Sequence, residues 1–576
     1  MGKTFTARVQ TAGDHWLEFR DPVLVLQADT PEAVHRTLVD VEQLTRDRGL
    51  HAVGFVTYEA GAAYGLPVSA SPGDLPLAWF ALCEPSGVLR VERQKRTADY
   101  RIGTLTPSVE RRQFAEAFAR IRHHLADGNS YQANYTFRLS GVFDGDAASF
   151  FADLCDAQRG QHAAFIDLGR FAICSASPEL FFEIQGLDIV ARPMKGTARR
   201  GRTLDNDRAA GLQLATSAKN QAENVMVVDM VRNDLGRIAD VGSVQVSELF
   251  TVERYPNVWQ MTSVVRARSL APLADIFSAL HPSASVTGAP KVATMELLRA
   301  LEAGPRGVYT GAVGHVPPDG MASFNVAIRT AVIDRTTSTL TFGIGSGIVW
   351  DSDADAEYDE CLLKGAVLGQ RPVDFELLET LRWSPGDGFV LLERHLQRLQ
   401  DAAEYFSMPM PSAEVDAALA AAVAEAAGPL RVRLLVSRQG QVRVEQQPFV
   451  PAAGVVRAAL ALAPIDSSDV FLFHKTTNRR VYDDARASVA GVDEVLLWNA
   501  GGEVTEGTTA NLVAEIDGVR VTPPIASGLL AGTYRAMLLD TGRVTERVLT
   551  IDDLRHATAL WLVNSVQGER PVELVG

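Results

Sequence analysis

Apolar residues recur at helical spacing in several stretches of the chain. The pattern predicts amphipathic helices over residues 114–125, 222–238 and 393–403, because their apolar positions fall on one face at steps of three and four. The stretch 413–427 is rich in alanine, the strongest helix former, and a Gly-Pro pair after it supplies a stop. It therefore predicts a further helix and not a linker.

Short β-like runs alternate with these helices. Residues 181–184 and 188–191 flank a Gln-Gly pair and predict an antiparallel hairpin. The runs 511–516 and 519–522 flank Asp517-Gly518, a pair that tolerates the positive φ angles of a tight two-residue turn. Further β-rich runs lie at residues 322–332, 339–349, 375–381, 431–436 and 455–462.

The regular pattern stops in the segment Leu368-Gly369-Gln370-Arg371-Pro372, where a proline interrupts it and a new β-like run follows. We therefore place a domain boundary here. One domain is expected over residues 1–369 and a second over residues 375–576. The first of them combines α and β patterns.

The chain has 576 residues, and 55 Lys and Arg against 70 Asp and Glu leave a formal net charge of −15. This acidic balance argues against nucleic acid or an anionic membrane as a partner. The four cysteines form no CxxC pair, and no apolar run approaches the ~20 residues that a membrane-spanning helix needs. We expect a cytoplasmic protein without a disulfide framework or a structural zinc site.

Three carboxylates are candidate ligands for a hard cation. Glu223 lies on the predicted helix over 222–238, and Glu357 and Glu360 lie three residues apart on one face of another helix. Oxygen ligands without His or Cys favour Mg²⁺, which takes one or two carboxylates together with water and substrate oxygens. Acidic residues on helices are more often solvated surface groups, and spacing alone does not choose between the two interpretations.

Lys195 is a candidate nucleophile. It follows a proline by two residues and precedes Gly196, so the backbone around it is restricted and could aim the amine into a cleft. A lysine whose pKa is lowered can act as a nucleophile, whereas an ordinary surface lysine in a turn is the alternative. The glycine-containing segments 286–290 and 343–347 are interpreted as turns whose backbone amides could receive carboxylates.

Taken together and in order, these pieces resemble the chorismate-utilising enzymes. The resemblance spans residues 54–369 and rests on the motifs Tyr131-Gln132-Ala133-Asn134, Ser177-Pro178-Glu179-Leu180, 193–197, 222–237, 286–291, 327–330, 345–348 and 357–360. Anthranilate and isochorismate synthases usually have alanine where Lys195 stands, whereas aminodeoxychorismate synthases have lysine. The chain is similar to the latter branch, and the resemblance implies an antiparallel β-sandwich wrapped by helices.

The resemblance also implies residue roles. Lys195 would attack C2 of chorismate and expel the 4-hydroxyl, after which ammonia would enter at C4 and displace the lysine. Glu179 would act as general acid and base. Glu223 and Glu360 would bind Mg²⁺, with Glu357 acting through a water, and the metal would bind the ring carboxylate. The clamp on the substrate carboxylates would comprise Thr287, Tyr309, Arg329, Gly347 and Lys364.

Two features limit the resemblance. Gln260 stands where the family often has histidine, and a glutamine hydrogen-bonds but does not titrate, so no role is assigned to it. The chain also has no Gly-x-Cys-x-Gly elbow of a glutaminase. We therefore expect a separate glutamine amidotransferase subunit to dock on the first domain and supply ammonia.

The second domain resembles the fold-type IV enzymes that use pyridoxal 5′-phosphate (PLP), and a two-subdomain α/β fold is expected. This chemistry needs an amine to carry the cofactor and a carboxylate at the pyridine nitrogen, and Lys475 and Glu506 match these positions. The resemblance implies that the phosphate is bound by Arg398, the backbone amides of Thr533 and Tyr534, and Ser565. Whether this half forms a homodimer is left open.

We therefore expect a bifunctional enzyme of folate synthesis that converts chorismate and ammonia to 4-aminobenzoate and pyruvate. Lys475 would remove the C4 proton of aminodeoxychorismate before pyruvate is eliminated. One alternative is an anthranilate- or isochorismate-type synthase fused to an aminotransferase, against which Lys195 argues. Others are a synthase fused to a class IV aminotransferase of another substrate, or to a PLP-fold module that only steadies the synthase or binds a partner.

Overall fold

The computed structural model describes residues 5–11, 15–70, 74–369 and 373–575. The chain divides into two compact units, one over Met1–Arg199 and Gly211–Pro372 and the other over Arg200–Ala210 and Val373–Gly576. The α-helices, in chain order, are α1 (Pro31–Arg48), α2 (Arg111–Ala126), α3 (Ala147–Gln158), α4 (Leu204–Thr216), α5 (Ala218–Gly236), α6 (Leu273–Leu280), α7 (Lys291–Leu301), α8 (Ala354–Gly365), α9 (Leu392–Phe406), α10 (Ser412–Val423), α11 (Arg480–Ser488), α12 (Thr533–Asp540) and α13 (Ile551–His556).

The first unit contains two large antiparallel sheets. The first sheet runs, in spatial order, through Gly288–Ala289, Gln132–Gly145, Thr339–Ile348, Thr330–Asp334, Phe171–Ser177, His162–Asp167, Thr6–Thr11, His15–Arg20 and Val88–Val91, with Tyr100–Ile102 and Thr106–Pro107 also paired to Gln132–Gly145. The second runs through Met194–Arg199, Val258–Arg268, Asp188–Arg192, Leu180–Gln185, Ala322–Val326, Ala312–Val316, His51–Val56, Ala78–Cys83 and Leu24–Ala28, with Gln245–Arg254 paired to Val258–Arg268.

The two sheets pack face to face and carry helices on their outer faces. Val9 and Ile173 of the first sheet share one buried cluster with Phe55 and Trp79 of the second. A second cluster joins the first sheet to α2, α3 and α8, and a third joins the second sheet to α1, α5 and α6. The expected β-sandwich wrapped by helices is therefore confirmed.

The second unit has two sheets of different construction. A small antiparallel sheet runs through Gly388–Phe389, Leu377–Ser384, Leu430–Val436 and Val442–Pro448, and α9 and α10 cover it. The larger sheet runs through Thr545–Glu546, Val519–Thr522, Asn511–Ile516, Ala559–Asn564, Gly568–Leu574, Val456–Leu460, Glu494–Trp498, Glu503–Gly507 and Leu549–Thr550. An additional pairing of Glu506 with Asn511 closes six of these strands into a ring.

Most elements lie where the sequence pattern predicts them. The helices α2, α5 and α9 and both hairpins are confirmed, and Asp517 and Gly518 have φ of 53° and 76° as the tight turn requires. The alanine-rich helix α10 ends at Val423, four residues earlier than predicted. Among the described residues, no helix is both long enough and apolar enough to cross a membrane.

The β-rich runs 322–332 and 339–349 are confirmed as strands, but one interpretation of a glycine segment within them was wrong. The segment 343–347 is not a turn, because it lies inside the strand Thr339–Ile348. The run 322–332 forms two strands, and the break between them contains Arg329 at φ 50°. A positive φ at a residue other than glycine is not foreseeable from the β-rich pattern.

One close approach in the second sheet admits only glycine. Gly314 and Gly54 are opposite each other on neighbouring strands, and the buried ring of Phe324 packs against the first of them. A Cβ at Gly314 would lie 2.1 Å from the carbonyl oxygen of Ser323 and 2.6 Å from Cδ1 of Phe324. The strand spacing and the aromatic core therefore both depend on the missing side chain.

We expect Gly314→Ala to destabilise the first unit by about 1–3 kcal/mol, because overpacking forces the strand or the ring to move. The melting temperature should fall accordingly. Gly304→Ala is the matched control, since a Cβ there has nothing within 4 Å. Equal melting temperatures for the two variants would contradict this account of the sheet.

Candidate active sites

In the first unit, Lys195 lies on the strand Met194–Arg199 and reaches across to α5 and the first sheet. Its Nζ is 3.4 Å from Oε2 of Glu223, and both side chains are largely buried. A Cβ at Gly347 would lie 2.3 Å from this Nζ. The amine therefore occupies space that exists because the facing strand carries glycine.

Gln260 braces the backbone next to Lys195. Its Nε2 donates to the carbonyl of Gly196 at 2.8 Å, and its Oε1 accepts from the hydroxyl of Thr197 at 2.9 Å. The side chain is buried. Gln260, on the neighbouring strand, thus makes two hydrogen bonds to the strand that carries Lys195.

Glu179 is a buried carboxyl beside the same strand. Ser285 Oγ donates to its Oε1 at 2.6 Å, and the backbone amide of Met194 also hydrogen-bonds it. Burial raises the pKa of Glu179 to about 8, although these two donors act in the opposite direction. A carboxyl in this range can hold and release a proton near neutral pH, as a general acid and base must.

The three candidate metal ligands differ in their partners. Glu357 accepts hydrogen bonds from the hydroxyls of Ser346 and Ser352, the latter at 2.7 Å. Glu360 pairs with Lys364 at 2.8 Å, and this lysine, with further help from Lys195, holds the pKa of Glu360 below its usual range. Glu223 pairs with Lys195.

The expected gathering of three carboxylates is not preformed. Within the described ranges, no group of three or more His, Cys, Asp or Glu is placed to hold a metal ion. Mg²⁺ commonly takes one or two carboxylates and completes its shell with water and substrate oxygens. Glu223 lies 3.4 Å from Nζ of Lys195, and Glu360 is close enough for Lys195 to lower its pKa, so these two carboxylates fit that smaller donor set.

The residues of the expected carboxylate clamp fall into two groups. Lys364 donates to the carbonyl of Gly345 at 2.9 Å, on the strand that also carries Gly347, and Tyr309 is buried over Gly343 of the same strand. Burial raises the pKa of Tyr309 to about 12, so its hydroxyl keeps its proton. Both groups face the strand whose Gly347 lies under the Lys195 amine.

The other two members are engaged elsewhere. Arg329 donates to Oε1 of Gln158 at 2.5 Å, and burial lowers its pKa to about 10, which still leaves it cationic at neutral pH. The hydroxyl of Thr287 donates to the carbonyls of Ser283 at 3.2 Å and Ala284 at 3.3 Å. The backbone carbonyl of Thr287 also accepts from the Asn134 amide at 2.8 Å, so this residue is hydrogen-bonded within the protein through both its side chain and its backbone.

Sequence reasoning missed two residues of this site. Gln132 is buried, its Oε1 has no hydrogen-bond partner, and its Nε2 would lie 3.4 Å from a Cβ at Gly347. Arg306 donates to the carbonyl of Val286 at 2.7 Å and of Asn134 at 2.8 Å, tying two motif segments together. The signal for Gln132 was its place in a recognised motif, whereas nothing in the local pattern distinguished Arg306.

In the second unit, Lys475 and Glu506 form the centre of another site. Burial, reinforced by Arg398, lowers the pKa of Lys475 to about 8. Glu506 accepts from Tyr482 Oη at 2.8 Å, from Asn511 Nδ2 at 3.0 Å and from the Leu530 amide at 3.0 Å. Burial raises the pKa of Glu506 to about 7 against these donors.

Arg398 on α9 is held by a buried carboxylate that the sequence analysis did not identify. Its Nε and Nη2 donate to the two oxygens of Glu379 at 2.8 and 2.7 Å, a bidentate pair, and its Nη1 donates to the Ala531 carbonyl at 3.1 Å. His395, one turn earlier on α9, also contacts Glu379. Strand Leu377–Ser384 and α9 thus jointly fix the guanidinium.

The remaining expected phosphate contacts surround the start of α12. Thr533 is the first residue of this helix, and Tyr534 is the second. Gly532, just before the helix, lies so close to Asn511 that a Cβ at Gly532 would be 1.8 Å from Oδ1 of Asn511. Ser565 follows the strand Ala559–Asn564, and its Oγ is 2.9 Å from Nε2 of His395. A helix N-terminus with an arginine and hydroxyls nearby suits a phosphate group.

This donor set fits PLP. A lysine with a lowered pKa, a buried carboxyl and an anion-binding helix start are the groups that such a cofactor requires. Lys475 is also the only lysine after Lys364. Lys475 would carry the cofactor, Glu506 would meet its ring nitrogen, and Arg398 with the α12 amides would hold its phosphate.

Two known protein families match successive parts of the chain. Residues 6–369 match the chorismate binding enzyme family, and residues 376–575 match the amino-transferase class IV family. The chain therefore belongs to the chorismate binding enzymes and carries a class IV aminotransferase domain after that part.

Its curated relatives include aminodeoxychorismate synthases. The component 1 protein of Klebsiella aerogenes is 40% identical over 255 residues, which are 44% of this chain and 56% of the relative. The component 1 protein of Salmonella typhimurium is 33% identical over 389 residues, 62% of this chain and 85% of the relative. The chain thus spans little more than half of the first relative and most of the second.

A solved structure supports the fold of the first unit. Anthranilate synthase component I from Streptococcus pneumoniae superposes with a TM-score of 0.53 at 23% identity, covering 62% of this chain and 93% of that protein. At this identity, the comparison supports the fold and not the substrate.

The raised pKa of Glu179 predicts a pH-dependent stability. The folded state keeps the proton up to about pH 8, whereas the unfolded carboxyl loses it near pH 4.5, so the folded state becomes less stable as pH rises between these values. Glu179→Gln removes this penalty. We expect the stability of this variant relative to the unmodified protein to increase between pH 5 and pH 8, by roughly 1–3 kcal/mol of unfolding free energy. Its melting temperature should rise relative to that of the unmodified protein over the same range.

The exposed Glu248→Gln variant is the control for this measurement, because that residue lies on the surface of the strand Gln245–Arg254. Its melting temperature should follow the unmodified protein at every pH. A constant offset for Glu179→Gln across the range would show that Glu179 ionises normally in the folded protein.

Proposed function

We propose that the chain makes 4-aminobenzoate from chorismate and ammonia in two steps, one in each unit. The first unit aminates chorismate to 4-amino-4-deoxychorismate, and the second eliminates pyruvate from that product. The observation that carries the proposal is the Lys195 amine, which is held beside Glu223 over the glycine strand. The aminodeoxychorismate synthase relatives support the same reaction.

In the first step, the neutral Lys195 amine forms a bond to C2 of the ring, both ring double bonds shift by one position, and the C4–O bond breaks. Glu179, whose pKa is about 8, gives its proton to the departing hydroxyl, which leaves as water. Ammonia then bonds to C4, both double bonds return to their original positions, and the C2–N bond to Lys195 breaks. The ionised Glu179 takes up the proton that the new amine releases.

The charges around Lys195 suit a dianionic substrate. Lys364 would meet a substrate carboxylate, and so would Arg329 once its hydrogen bond to Gln158 is released, while the protonated Tyr309 would donate a hydrogen bond. Mg²⁺ held by Glu223 and Glu360, with Glu357 acting through water, would bind the ring carboxylate and offset its charge. A separate glutamine amidotransferase subunit would supply ammonia, and we place the enzyme in the cytoplasm.

In the second step, Lys475 is the base. PLP, when bound, supplies an electron sink that acidifies the carbon bearing the amino group. A lysine with a pKa of about 8 can take the C4 proton at neutral pH, and Glu506 would keep the pyridine nitrogen protonated. Loss of this proton allows the enolpyruvyl C–O bond to break, so that pyruvate leaves and the ring becomes aromatic.

We expect Lys195→Ala to reduce aminodeoxychorismate formation by at least about 10³-fold, because the nucleophile is lost. The assay supplies chorismate, Mg²⁺ and ammonium salt, and identifies products by mass. Lys219→Ala, at an exposed position of α5, is the matched control and should retain activity. Undiminished turnover in Lys195→Ala would exclude the nucleophilic role. Formation of anthranilate by the unmodified protein would show that the first unit catalyses a different reaction from the one proposed.

We expect Lys475→Ala to stop pyruvate release while aminodeoxychorismate accumulates, because the first unit does not use this lysine. Products are separated after incubation with PLP and quantified. In the unmodified protein, borohydride reduction followed by peptide mapping should attach the cofactor to Lys475, the only lysine after Lys364. Full 4-aminobenzoate formation by Lys475→Ala would assign the second unit another role.

A further inference from the structure

Two side chains of the second unit, Glu379 and His395, lie between the expected phosphate contacts, and neither was assigned a role by the sequence. Each is about 1% exposed, and Nδ1 of the imidazole is 2.6 Å from Oε2 of the carboxylate. The same carboxylate holds Arg398 through two hydrogen bonds of 2.8 and 2.7 Å. One buried anion therefore fixes both a guanidinium and an imidazole.

The second nitrogen of His395 faces two hydroxyls. Nε2 is 2.9 Å from Oγ of Ser565 and 3.3 Å from Oγ1 of Thr533. Ser565 follows the strand Ala559–Asn564, and Thr533 begins α12. The imidazole thus connects α9 to two elements that are distant in sequence.

Glu379 determines which nitrogen of the His395 imidazole carries a proton. Burial tends to raise the pKa of Glu379, but Arg398 and His395 outweigh it and lower the value to about 2. An ionised carboxylate has no proton to give, so Nδ1 of His395 must be the donor in this contact. That contact fixes the orientation of the ring and directs Nε2 at the hydroxyls.

We propose that Glu379 and His395 are positioning residues that hold Arg398, Ser565 and Thr533 as one set for binding the phosphate of PLP. The inference rests on the proposed PLP-dependent function. Arg398 takes its geometry directly from Glu379, and the two hydroxyls take theirs from His395. Buried partners that orient ligating groups in this way commonly change affinity by about 10–100-fold when they are removed.

The test compares PLP with pyridoxal, which lacks the phosphate. Dissociation constants of the full-length protein for both are measured by absorbance titration. We expect His395→Phe to weaken PLP binding by roughly 10–100-fold and pyridoxal binding by less than about threefold. His395→Gln, whose amide can still make one of the two hydrogen bonds, should lose less PLP affinity than His395→Phe. His556→Gln, at an exposed position of α13, is the control.

Unchanged PLP affinity in His395→Phe, or an equal loss for pyridoxal, would overturn the inference. If His395→Phe does not fold, a double-mutant cycle of His395→Gln with Ser565→Ala decides. The inference requires the two losses of PLP affinity to be non-additive, and additive losses would overturn it. Failure of the unmodified protein to bind PLP would instead remove the proposed function of this unit as well.

Discussion

The chemistry of the first unit depends on a strand whose second half has no side chains on one face. Gly343, Gly345 and Gly347 alternate along Thr339–Ile348 and therefore point to the same side of the sheet. Tyr309 lies over the first and the Lys195 amine over the last, at distances that a Cβ would not permit. The glycines therefore let the Tyr309 ring and the Lys195 side chain lie directly against the strand, and Lys364 donates to the Gly345 carbonyl between them.

The second unit solves a different electrostatic problem. Glu379 and Glu506 are both buried, but the pKa of the first falls to about 2 and that of the second rises to about 7. The difference follows from their partners, because Glu379 faces the Arg398 guanidinium and Glu506 receives its hydrogen bonds from neutral donors. One carboxylate is permanently charged and structural, and the other is poised to share a proton with a ligand.

Sequence patterns predicted what local periodicity controls. Helices α2, α5 and α9 and the Asp517-Gly518 hairpin follow from residue spacing and turn chemistry. The residue types at Lys195, Glu179, Lys475 and Glu506 suggested sites through the order of motifs. Long-range pairing was not predictable in this way: Glu379 lies on a strand and His395 on a helix, and the glycine segment 343–347, interpreted as a turn, lies within the strand Thr339–Ile348.

The ring of strands in the second unit closes at the pairing of Glu506 with Asn511. The strand that carries Glu506 therefore has both of its backbone edges occupied at that point, and its neighbour Asn511 also binds the carboxylate. Closure of a sheet removes edges that invite pairing with other chains. Glu506, which would contact the cofactor, thus also closes the ring of strands. A change that weakens the pairing of Glu506 with Asn511 should therefore lower both the resistance to aggregation and the affinity for the cofactor.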